Sequence, residues 1–151
     1  EYAPLGIEAA VTNTATVSGT GITPVTAAET VNAEAAPNLA ITKSVSPVPV
    51  TENGTLTYTF RIQNYGSVAA TNTTGVVITD TFAPVLNNLT AALNGTAWTA
   101  ATDYTYNEAT GTFSSTAGAI TVPAATYTQD STTGAWVVTP GESTLVITGT
   151  V

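Results

Sequence analysis

The sequence predicts an all-β protein: an antiparallel Greek-key β-sandwich of immunoglobulin-like type, with an extra strand at its N-terminal end. Three observations lead there. Roughly a fifth of the 151 residues are Thr, and Val, Ile and Tyr add to the strand-favouring set. Turn signals recur about every ten residues along the chain. Helical periodicity is weak: the best stretch, residues 27–36, contains Thr30, Val31 and Asn32, poor helix formers, and reads as linker.

Taken in order, residues 11–18 alternate Val11, Asn13, Ala15 and Val17 with threonines, the period of a strand. Residues 19–37 differ in composition: Gly19, Gly21 and Pro24 precede an Ala/Glu-rich run ending at Pro37, which reads as a connector. Strands follow at 39–45, 55–64, 75–82, 112–115, 135–139 and 143–151. Turns are expected at Glu52-Asn53-Gly54, Asn64-Tyr65-Gly66, Asn94-Gly95, Thr133-Gly134 and Pro140-Gly141. The expected division is an N-terminal strand segment (1–18), a linker (19–37) and the sandwich domain (38–151). A lone strand is not stable, so residues 11–18 must pair with something.

Composition removes several functions. Two cations against ten acids give a net charge of −8, and Lys43 and Arg61 cannot build the basic surface that nucleic acid requires. Without His or Cys there is no Ser–His–Asp triad, no thiol nucleophile, no disulfide and no zinc site of the usual ligand types. No metal and no cofactor is expected. No apolar run approaches the ~20 residues of a membrane span, and no Lys/Arg-plus-apolar signal peptide opens the chain. The start at Glu1 suggests a processed or trimmed form. Low charge, abundant Thr and acidity fit an extracellular β protein.

Three polar residues fall on apolar strand faces. Lys43 is in phase with Leu39, Ile41 and Val45; Asp80 is in phase with Val76, Ile78 and Phe82; Asn13 is in phase with Val11, Ala15 and Val17. Arg61, by contrast, lies opposite Leu56, Tyr58, Phe60 and Ile62 and reads as an outward charge. Burial disfavours the charged form of an amine or a carboxyl. A neutral amine is a nucleophile, a neutral acid can protonate a carbonyl, and a carboxamide can release ammonia. Together these are the ingredients of an isopeptide cross-link. Lys43 Nζ is expected to attack the Asn13 side-chain carbonyl while Asp80 polarises it and shuttles protons, once per molecule. The chain is therefore expected not to be an enzyme with turnover. The bland readings are a lysine snorkelling from a strand end, an aspartate capping a loop and an asparagine marking a bulge.

These residues also carry a resemblance. Residues 38–47, Gly54-Thr55-Leu56-Thr57-Tyr58, Ile62-Gln63-Asn64-Tyr65-Gly66, Val77-Ile78-Thr79-Asp80-Thr81-Phe82, residues 140–145 and Thr12-Asn13-Thr14-Ala15-Thr16-Val17 resemble a conserved repeat domain of bacterial surface proteins, catalogued as a domain of unknown function. The resemblance implies a secreted or wall-associated sandwich, often in tandem arrays. Related surface and pilus domains carry Lys–Asn isopeptides with an acidic catalyst, and the resemblance puts Lys43 on the family's first strand, Asp80 at its Asp and Asn13 on its final strand.

The order departs from that family: the string around Asn13 should come last but comes first. The sandwich then lacks its closing strand, which leaves a groove and an open edge. The leading strand, Val11, Asn13, Ala15 and Val17, can fold back into its own domain, since ~29 intervening residues at ~3.3 Å each reach far enough, or enter the groove of the next molecule. The second is favoured. Strand donation head to tail builds an open filament of identical subunits, with Lys43 and Asp80 of one subunit meeting Asn13 of another.

The expected function is a structural subunit of an extracellular surface fibre or pilus, its partner being itself. The first alternative is a monomeric adhesin stalk repeat with the same bond formed internally; a plainer reading makes the chain an excised piece of a longer repeat protein, which could still assemble as a filament. The second is a carbohydrate-binding module for host or matrix glycans, with Trp98, Tyr104 and Tyr106 as a platform. Four Asn-x-Thr triplets, at Asn53, Asn72, Asn88 and Asn94, are about what so much Thr yields by chance. Asp103, Glu108 and Asp130 lack calcium-loop spacing.

Overall fold

The computed structural model describes residues 9–33 and 35–151 and folds them almost wholly as antiparallel β structure. A five-stranded sheet runs, in spatial order, β3 (Leu39–Ser46), β4 (Thr55–Asn64), β12 (Gly141–Thr150), β6 (Asn87–Leu93) and β7 (Thr96–Ala97). A three-stranded sheet runs β5 (Thr79–Thr81), β9 (Thr112–Ser115) and β8 (Tyr104–Asn107). Two ribbons stand apart from these ladders: β1 (Ala9–Gly19) with β2 (Ile22–Ala33), and β10 (Thr126–Gln129) with β11 (Trp136–Thr139).

The core lies where period-2 alternation stacks. Leu56, Tyr58, Phe60 and Ile62 of β4 and Leu145 and Ile147 of β12 are buried with Phe82, Phe113, Tyr104 and Ile120. A sandwich of this kind is what the sequence predicts.

Strand β3 breaks the pattern. Its inward row is apolar except for Lys43, and the ladder sets Ile41 beside Ile62, Lys43 beside Phe60 and Val45 beside Tyr58. Residues paired this way share a face. Yet Ile62, Phe60 and Tyr58 are 3–7% exposed, while Leu39, Ile41 and Val45 are 37%, 52% and 38% exposed. The layer that covers β4 stops before it covers β3.

Asn64 ties the end of β4 to three other segments. It is fully buried. Its Oδ1 accepts from the backbone N–H groups of Asn38 and Gly66, both at 2.9 Å, and its Nδ2 donates to the carbonyls of Val68 at 2.7 Å and Pro123 at 3.0 Å. The Tyr65 N–H also donates to the Asn38 carbonyl at 2.8 Å. A Cβ on Gly66 would meet the Ala36 carbonyl oxygen at 2.1 Å, so only glycine lets the connector lie this close. Residues 36–38 are therefore anchored where β3 begins.

Several expectations need correction. Much of the expected linker 19–37 is strand: β2 pairs with β1 from Ala9↔Ala33 to Gly19↔Ile22, turning at Thr20-Gly21 with Gly21 at φ 78°. The N-terminal strand is thus half of a hairpin, and the ~29 residues thought free to span the molecule are mostly held in it. The expected strand 75–82 shrinks to β5, preceded by a 3-10 turn at Asn72–Thr74 that ends on Gly75 in the left-handed region. Pro140-Gly141 is not a hairpin turn: β11 ends at Thr139 and β12 starts at Gly141 with a new partner, β4. The turns at Asn94-Gly95 and Thr133-Gly134 do close hairpins, and Asn94 and Gly95 both have the positive φ that a tight hairpin needs.

Candidate functional site

β3 places Lys43 on the uncovered inward row, and β5 places Asp80 across from it on the opposing sheet. Lys43 Nζ donates to Asp80 Oδ2, and the two form an ion pair. The other carboxylate oxygen of Asp80, Oδ1, accepts from the Thr81 N–H at 2.9 Å. Pairing of β5 with β9 sets Asp80 opposite Phe113 and fixes the carboxylate at this height.

The amine also lies among aromatic rings. Its nitrogen is 4.9 Å from the centre of Tyr58, 5.3 Å from Phe82 and 5.5 Å from Phe60. Such rings attract a cation through their π faces while denying it water on that side. Phe82 in turn packs on Tyr58 with centroids 4.7 Å apart. Only the side away from the rings is open: the Lys43 side chain is 41% exposed and that of Asp80 18%. Alternation in the sequence sets the lysine and the aspartate on inward rows but does not reveal the ring cage. Tyr58 and Phe60 are visible in the β4 alternation; what was hidden is the β3–β4 register that lays Lys43 over them.

Beside this pair runs a groove of about 170 Å³ lined by Leu39, Ala40, Ile41 and Ile62 from one sheet and Val76, Val77 and Ile78 from the segment leading into β5. Val77 is 45% exposed. Groove and ion pair together make one seam, apolar along most of its length, with an amine and a carboxylate at one end.

Asn13, the third expected member, is not in the seam. It is exposed on β1, opposite Glu29 of β2. The ribbon has two unlike faces. One carries Asn13, Ala15 and Val17 opposite Glu29, Ala27 and Val25, in phase with the Val11↔Val31 pair; the other carries Thr12, Thr14 and Thr16 opposite Thr30, Ala28 and Thr26. The side chain of Val11 lies outside the described residues. Val17, Val25 and Val31 are 65–66% exposed. A two-stranded hairpin with a bare apolar face is at best marginal in water.

The remaining candidates resolve into ordinary structure. Arg61 points outward as expected and pairs with Glu142 of β12 at 2.5 Å. Their hydrogen bond raises the guanidinium pKa and lowers that of the carboxyl. Asp130 caps the β10–β11 turn by accepting from the backbone N–H groups of Thr132 and Thr133, which hold its carboxyl below the usual range. Of the expected sugar platform, Tyr104 is buried, Trp98 and Tyr106 are partly buried against the core, and the Tyr106 hydroxyl bonds the Leu86 backbone N–H and carbonyl, each at 2.9 Å. No described helix is long and apolar enough to cross a membrane.

Compared with protein-family models, curated proteins and solved structures, the chain matches none.

Proposed function

We propose that this chain is a structural subunit of an extracellular surface fibre, polymerising head to tail by strand donation and locked by Lys43–Asn13 isopeptide bonds between subunits. The observation that carries the reading is the Lys43–Asp80 pair, its amine set over three aromatic rings, at one end of an uncovered apolar seam. An amine used only for solubility would point away from the rings. This one is held against an acid, on the side where strand donation would bring a carboxamide.

The chemistry needs nothing beyond the three side chains. Asp80 takes a proton from the Lys43 ammonium, and the free amine attacks Asn13 Cγ. Protonated Asp80 then hydrogen-bonds the carboxamide oxygen as negative charge develops there. The adduct collapses with cleavage of the bond to the original amide nitrogen. Two protons leave the lysine nitrogen through Asp80, and the departing nitrogen carries them off as ammonium. One amide bond forms and one breaks, with no oxidant.

The test is a purified chain boiled in SDS. A ladder in which each added subunit costs one ammonia in intact mass is the expected result. A single band that has lost one ammonia would mean the bond is internal, as in a stalk repeat. A single band at full mass would overturn the chemistry altogether. Asp80→Ala is expected to slow cross-linking by about 10²–10⁴-fold, the usual range for a general acid–base group, while unboiled filaments persist. An unchanged rate would remove Asp80 from the mechanism.

A further inference from the structure

We infer that the donated element is the intact β1–β2 hairpin of a second copy, added to the free edge of β5. This rests on the strand-donation reading above and specifies its geometry.

The inward row of β3 is exposed because the opposing sheet reaches it only through Asp80 and residues 76–78, not because its edge is unpaired. A strand added to the edge of β3 would leave that row bare. Only an extension of the opposing sheet, stacked about 10 Å away, can cover it. That sheet has three strands against five, and among the described residues β5 pairs only with β9. The hairpin has two strands, and one of its faces is apolar apart from the facing pair Asn13 and Glu29. Joined through β1, it yields the order β2-β1-β5-β9-β8, with β1 over β3 and β2 closing the seam beyond.

Leu39 and Ile41 line the groove with Val76, Val77 and Ile78, and Lys43 meets Asp80, so β3 and the β5 segment run the same way. Every strand ladder among the described residues is antiparallel, so β1 beside β5 runs opposite to β3. With Asn13 at the height of Lys43, Ala15 then covers Ile41, Val17 covers Leu39, and the Val11 position falls over Val45. Each exposed apolar residue of β3 gains an apolar neighbour, and the one carboxamide falls on the one amine.

Reach selects a second copy. In this register β2 runs with β3, so Ala33 lies near the far end of β3 while the chain must restart at Leu39. Eight residue heights at ~3.3 Å and a sheet spacing of ~10 Å put those points ~28 Å apart. Six Cα steps span at most ~22 Å, and residues 36–38 are already anchored beside Asn64 and Gly66. An intact hairpin therefore falls short of its own seam and fits that of a neighbour.

The hairpin can be locked on its threonine face. Thr12 and Thr30 hydroxyls lie 2.8 Å apart, and the chain has no cysteine, so Thr12→Cys with Thr30→Cys creates a single internal disulfide. The oxidised variant is expected to give the same SDS-resistant ladder as its reduced form, within about twofold in rate. A ladder from the reduced form only would overturn the inference, since β1 would have to leave β2. A single band lighter by one ammonia would overturn the choice of a second copy. Hydrogen exchange on wild-type polymer gives an independent reading: β2 amides are expected to be as protected as those of β1, and fast exchange along β2 would also refute intact donation. If wild-type protein forms no polymer, the strand-donation reading itself fails, and this inference with it.

Discussion

Lys43→Arg leaves unboiled filaments in place and removes every rung of the SDS-resistant ladder. Arginine keeps the positive charge, the contact with Asp80 and the stacking on Tyr58, Phe60 and Phe82. It remains protonated at any pH a protein survives, so it cannot act as the nucleophile. Lys43→Ala loses the same rungs but strands a half-buried carboxylate, so its filaments are expected to be weaker as well. Comparing the two separates the bond from the charge. Lys43 is the only lysine in the chain, so no other side-chain amine can substitute. SDS-resistant polymer from Lys43→Arg at wild-type yield would rule out the assigned nucleophile.

Asn64→Ala is expected to cost the monomer about 3–5 kcal/mol. The substitution orphans two N–H groups and two carbonyls in partly buried bonds, each worth ~1–3 kcal/mol when left unpaired away from water; the figure is below their sum because water will reach some of them. For a chain of this size, that lowers the melting temperature by roughly 6–20 °C. The loss reaches beyond the core, since one of the freed groups is the Asn38 N–H that anchors the connector. A drop under about 1 kcal/mol, read by denaturant melts of Lys43→Arg protein to avoid cross-linking, would show that the network is dispensable.

Strands with large alternating residues were legible in the sequence. β4 carries Leu56, Tyr58, Phe60 and Ile62 at period 2, and its bounds match the expected ones. β2 was not legible because Ala27 and Ala28 dilute its alternation and Glu29 interrupts the apolar row; what makes it a strand is ten-residue register with β1. β6 was missed for a similar reason: Asn87 and Asn88 open it, and its strand character comes from lying against β12 and burying Ala91 and Leu93. At the site, face parity alone put Lys43 and Asp80 inward, and the fold brings them together. Parity also put Asn13 on an apolar face, but which molecule that face meets is a matter of connector length, which alternation does not encode.

The pairing of β1 with β2 has a mechanical consequence. In a fibre joined as proposed, each subunit is gripped at two atoms, Asn13 Cγ and Lys43 Nζ. Tension therefore travels along residues 13–43, through the hairpin, the short anchored tether and the first half of β3. Strands β4 to β12 hang beside this spine rather than within it. Such a fibre would stretch by extending its tethers and hairpins while the sandwich cores stay unloaded, so pulling force and core stability would vary independently.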